Sequence, residues 1–106
     1  MIDWTRVDEL RDEIGTDCFD EVVELFIEEV ETEIDQLRSG TDPDQLEACL
    51  HFLKGSALSL GFEAFSKLCQ EGETNAAQGR SAHVDLSAIL SCYDASKSAF
   101  LEKLAR

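Results

Sequence analysis

The sequence predicts an all-α protein: an antiparallel up-down-up-down four-helix bundle with a short additional N-terminal helix. Apolar residues recur at helical spacing along the whole chain, and no stretch keeps the period of two that a half-buried strand needs. Connections between the apolar stripes are short, so successive helices are expected to pack as antiparallel neighbours. The chain has 106 residues, 43% of them hydrophobic and only one of them proline. That is enough for one core and one domain, read as spanning residues 1–106.

The elements follow in order. Trp4, Val7, Leu10 and Ile14 make one stripe of a short first helix that ends at Gly15 and is expected to cover one end of the bundle. A second helix begins at Thr16 or Asp17, either of which suits an N-cap. Its stripe runs Phe19, Val22, Val23, Phe26, Val30, Ile34 and Leu37, with Ser39-Gly40 closing it. Asp20, Glu21, Glu24, Glu28, Glu31 and Asp35 form its solvated outer face. Asp42 is placed to cap the third helix, with Pro43 at its first position, where a missing N–H costs nothing. Leu46, Cys49, Leu53, Ala57 and Leu60 line its core side, and Gly61 stops it. Phe62, Phe65, Leu68, Cys69, Gly72 and Ala76 turn inward on the fourth helix, which ends by Gly79. Gly72 costs about 1 kcal/mol against Ala in a helix interior, and signals either a close helix approach or a kink. After the polar loop Arg80–His83, the last helix carries Leu86, Ile89, Leu90, Tyr93, Phe100, Leu101 and Leu104, with Lys97 snorkelling from the same stripe.

Charge excludes several function classes. The chain holds 23 Asp and Glu against 9 Lys and Arg, a formal net charge of −14, which repels nucleic acid and anionic membrane alike. No apolar run reaches the length of a membrane span. The start, Met1-Ile2-Asp3-Trp4, lacks the basic and apolar regions of a secretory leader, so a cytoplasmic location is expected. Cys18, Cys49, Cys69 and Cys92 show neither a CxxC pair nor a zinc spacing; they read as reduced, small core residues, and no metal site is expected. The excess charge is unevenly spread: residues 1–50 hold 17 acidic and 3 basic side chains, whereas residues 51–106 hold 6 of each.

His51 stands out by its place. At about 100° per residue it faces away from Cys49, Leu53 and Leu60, in the middle of the third helix. Asp44, Glu47, Ala48, Lys54, Gly55 and Leu58 share its face. An exposed histidine is usually without a role, but these neighbours are unusual. Gly55, one turn on, is penalised in a helix interior unless something needs the space of its missing side chain. Lys54 puts a cation on the same face, and Leu58 is an apolar residue directed at water.

The run His51-Phe52-Leu53-Lys54-Gly55-Ser56-Ala57-Leu58-Ser59-Leu60-Gly61 resembles the signature of the histidine-containing phosphotransfer (HPt) domain, H-x-L-K-G-[SA]-[SA]-x-x-[LI]-G, at every fixed position. The family is one of small four-helix bundles with the histidine in mid-helix, so the resemblance covers the chain as a whole. It implies a phosphorelay. His51 matches the phospho-accepting histidine, attacking through Nε2, Lys54 the lysine that stabilises the phosphoryl group, and Gly55 the glycine that keeps the nucleophile accessible. Many members place Gln or Glu 22 positions after the histidine to hold its ring, and here that position is Glu73.

The implied partners are the receiver domains of response regulators, with a hybrid sensor histidine kinase as an alternative donor. Glu47, Leu58 and Lys67 are candidate contacts for them. The resemblance assigns magnesium to the receiver and no cofactor to this chain. The expectation is a stoichiometric phosphocarrier rather than an enzyme, and a monomer, because no self-complementary apolar surface is evident. The competing reading is a helical-bundle adaptor that binds a receiver or kinase without accepting phosphate. His83, in a loop without a motif, is expected to have a surface or capping role.

Overall fold

In the computed structural model the apolar stripes close into α1 (Trp4–Ile14), α2 (Thr16–Ser39), α3 (Pro43–Leu60), α4 (Glu63–Ala77) and α5 (Leu86–Leu104), with one 3-10 turn at Ser81–His83. Residues 2–40 and 42–104 are described; Met1, Thr41, Ala105 and Arg106, which the single-domain reading includes, lie outside them. Among the described residues there is no strand. Contacts between α3 and α4 show that these two helices run antiparallel. Along α3 from His51 to Lys54 the partners on α4 descend from Glu73 to Gln70 and Ser66.

Helix ends depart from the expected caps in two places. Gly15, with φ of 95°, takes the cap position of α2, and no side chain bonds there. Its N–H closes α1 on the Arg11 carbonyl while its own carbonyl accepts from Cys18 and Phe19. One residue thus serves both helices, and Thr16 and Asp17 are already helical. At α3, Pro43 does open the helix, but Asp42 contributes its backbone carbonyl to Gln45 and Leu46 rather than its side chain.

The core gathers the stripes of all five helices, with Phe19, Ile34, Leu53, Phe65 and Phe100 fully enclosed. Leu50, absent from the expected α3 stripe, is also fully buried. It faces the seam toward α4, because a helix with neighbours on two sides needs a wider apolar arc. Leu101 is a correction in the other direction: it is 40% exposed, since Phe100 and Ser96 occupy the inward positions of α5. Cys49 and Cys69 are buried, but Cys18 is exposed and Cys92 half-buried, so the cysteines are not uniformly core residues. Glu31, on the outer face of α2, stays partly exposed but is not merely solvated. Its carboxylate accepts from the Tyr93 hydroxyl at 3.0 Å and pairs with the Lys97 ammonium, so the snorkelling lysine reaches α2 at a part-exposed edge of the bundle.

α1 does more than cover an end. Asp3 N–H donates to the Gly61 carbonyl at 2.7 Å, and Arg6 Nε donates to the Ser59 carbonyl at 3.2 Å, so α1 satisfies orphan carbonyls at the C-terminus of α3. Gly61 is required twice over. Its φ of 88° is left-handed, and a Cβ there would stand 2.8 Å from the Asp3 carbonyl oxygen.

Candidate functional site

Two helices build the site. α3 turns His51 outward, with 69% of its side chain exposed, because Leu53, Leu50 and Ala57 claim the opposite arc for the core. α4 supplies the partner. A Cβ on Gly72 would stand 2.8 Å from Leu50 Cδ1 and 3.3 Å from Val84 Cγ1, so this glycine marks a close approach, and α4 continues through it unbroken. The approach sits one residue from Glu73 on α4 and one residue from His51 on α3. It brings a short carboxylate within reach of the ring.

Glu73 Oε1 lies 2.9 Å from His51 Nδ1, and its Oε2 lies 2.9 Å from Lys54 Nζ. Only 16% of the Glu73 side chain is exposed. Burial pushes its carboxyl up, but the hydrogen bonds and charges of Lys54 and His51 outweigh that and hold it below the usual carboxylate range. An ionised carboxylate can only accept, so Nδ1 carries the proton of the neutral ring and the Nε2 lone pair is left unclaimed by Glu73.

Of the residues singled out in the sequence, His51, Lys54 and Glu73 form one bonded set. Gly55 is exposed on the turn after His51, with nothing within 4 Å of where a Cβ would be. Leu58, 56% exposed, and Glu47 extend the same face of α3 in either direction. Lys67 is exposed on α4 and pairs with Glu63 at 3.5 Å rather than with the set. His83 lies apart, exposed at the end of the 3-10 turn.

Sequence reasoning missed Gln70, whose Oε1 accepts from Lys54 Nζ at 3.0 Å, and Thr74, whose hydroxyl takes Gln70 Nε2–H at 3.1 Å. The available signal was their spacing, since Gln70 stands one turn before Glu73 and Thr74 one turn after Gln70.

The family model of the Hpt domain matches residues 21–99. The chain belongs to the Hpt domain family. Comparison with curated proteins and with solved structures yields no significant match. The matched span of this Hpt domain runs from within α2 to within α5 and leaves α1 outside. Membership implies histidine phosphotransfer in two-component signalling, with receiver domains as the interacting class, and Hpt domains are phosphocarriers rather than enzymes. Among the described residues no cluster of three or more His, Cys, Asp or Glu is arranged to hold a metal ion. No described helix is long and apolar enough to cross a membrane.

Proposed function

We propose that this Hpt domain is a phosphorelay carrier whose His51 accepts a phosphoryl group from a receiver phospho-aspartate, or from a histidine kinase, and passes it to another receiver aspartate. The observation that supports this most is the 2.9 Å contact between His51 Nδ1 and Glu73 in a ring otherwise open to solvent. With Nδ1 held, Nε2 attacks phosphorus in line. The N–P bond forms as the bond from phosphorus to the aspartyl oxygen breaks, its electron pair staying on that carboxylate. Nδ1 keeps its proton, so the phosphorylated ring is cationic, and the Glu73 carboxylate lies beside that charge. Lys54 offers a cation to the phosphoryl oxygens.

Gly55 leaves the turn next to the ring clear for the partner, with Glu47, Leu58 and Lys67 on its rim. Magnesium and the acidic pocket belong to the receiver in this reading. Incubating the chain with phosphorylated receiver domains tests it. Acid-labile, alkali-stable phosphate is expected on the wild type and none on His51→Gln. Receivers that bind both proteins while labelling neither would establish the adaptor reading instead.

A further inference from the structure

Lys54 is not a free cation. Its ammonium has three N–H groups. Gln70 Oε1 accepts one at 3.0 Å, while Glu73 Oε2 stands 2.9 Å away as an ion pair, so the ammonium keeps hydrogens for an incoming oxygen. We infer that Gln70 is a positioning residue for the transfer, holding the Lys54 ammonium ready for the phosphoryl group through an amide whose far end Thr74 anchors. This rests on the carrier reading above.

The reasons are those of charge and of shape. An ammonium on a flexible four-carbon stem follows the strongest charge in reach and has many rotamers open to it. Glu73 is a full charge, already engaged with Nδ1, and on its own would draw Lys54 toward the side of the ring that does not react. Gln70 adds a second anchor one turn along α4, and being neutral it holds the ammonium without cancelling its charge. A glutamate there would bind Lys54 more tightly and set another negative charge against the phosphoryl oxygens.

The amide must also face the right way. Reversed, it would turn its NH₂ against the ammonium. The ammonium can only donate and so selects Oε1, while Thr74 Oγ1, accepting from Gln70 Nε2 at 3.1 Å, anchors the other end of the amide. The result is a chain of contacts along one side of α4, from Thr74 through Gln70 and Lys54 to Glu73 and His51.

A small phosphodonor isolates this effect, because a receiver brings charges of its own. With phosphoramidate, the P–N bond of the donor breaks, ammonia leaves, and the P–Nε2 bond forms. Single-turnover labelling is measured for wild type, H51Q, Q70A, Q70E, T74V, K54A and the K54A/Q70A double variant, alongside ¹⁵N NMR of the lysine ammonium groups. Q70A is expected to slow labelling about fivefold and to shift the Lys54 ammonium signal, with Q70E slower still and T74V in between wild type and Q70A. In the K54A background, Q70A is expected to add nothing, which a general structural role would not produce. The inference is overturned if Q70A labels like wild type, leaves the Lys54 signal in place, or slows K54A as much as it slows wild type. A wild-type chain that labels no better than H51Q overturns the carrier reading and takes this inference with it.

Discussion

At His51 the work is divided between two helices: α3 sets the ring in solvent, and α4 fixes its Nδ1 through Glu73. Removing Glu73 leaves Nε2 accessible but lets the ring turn and the proton move between its nitrogens. Glu73→Ala is therefore expected to slow transfer about tenfold, roughly 1.4 kcal/mol in the barrier, with half-saturation by the receiver unchanged. Glu73→Gln can still accept from Nδ1 through its amide oxygen, so its loss in single-turnover assays should be smaller. The thiols give an independent check at the same scale. Burial pushes Cys49 and Cys69 up to about 12, whereas Cys18 is exposed. Iodoacetamide should label Cys18 in the native protein at neutral pH, and reach Cys49 and Cys69 only on unfolding, as peptide mass mapping would show.

Within the elements, two mid-helix glycines serve opposite ends. A Cβ at Gly55 meets nothing within 4 Å, while one at Gly72 meets the enclosed Leu50 at 2.8 Å. Gly55→Ala should accordingly raise unfolding free energy by up to about 1 kcal/mol, the helix-propensity difference. Gly72→Ala gains the same propensity but overpacks a filled seam, so a net loss of about 1–2 kcal/mol is expected in urea titrations. A longer side chain in Gly55→Gln should slow transfer from a receiver while leaving helix content intact. The five helices and the outward histidine were legible because stripe, stop and motif residues act locally. Leu50 escaped notice because its burial depends on a second neighbour, and Glu31 because its partners, Tyr93 and Lys97, lie on a helix more than sixty residues away. The 22-residue offset to Glu73 was known only through family resemblance; the close approach at Gly72 is what makes it physical. Gln70 and Thr74 carry no local signal beyond their one-turn spacing along α4.

For the whole molecule, the uneven charge takes a spatial form. The polar contacts of His51 and Lys54 run to Glu73 and Gln70 on α4, not to the carboxylates of α2. In the proposed transfer, an acidic receiver pocket would meet His51 where the carboxylate beside its ring is paired with a lysine. The same pairing links stability to pH. Glu73 is lowered by Lys54 and His51 against the opposing effect of burial, and Glu31 by its bond from Lys97. Carboxyls depressed in the folded state stabilise fully above their ordinary value of 4.5, and that contribution is lost as pH falls through the lowered value. Relief of repulsion among the other carboxylates acts in the opposite sense, so the comparison is wild type against Glu31→Gln/Glu73→Gln. The wild-type advantage in thermal unfolding should be largest near neutrality and shrink steadily below pH 4.5.

In the proposed mechanism Nε2 of His51 carries the phosphate while Glu73 keeps the proton on Nδ1. Phosphorylating the ¹⁵N-labelled chain and recording ³¹P and ¹H–¹⁵N spectra of the histidine rings tests this directly. Phosphorus coupled to Nε2 of His51, with Nδ1 still protonated, is the expected result. Phosphorus on Nδ1, or on His83 in place of His51, would contradict it.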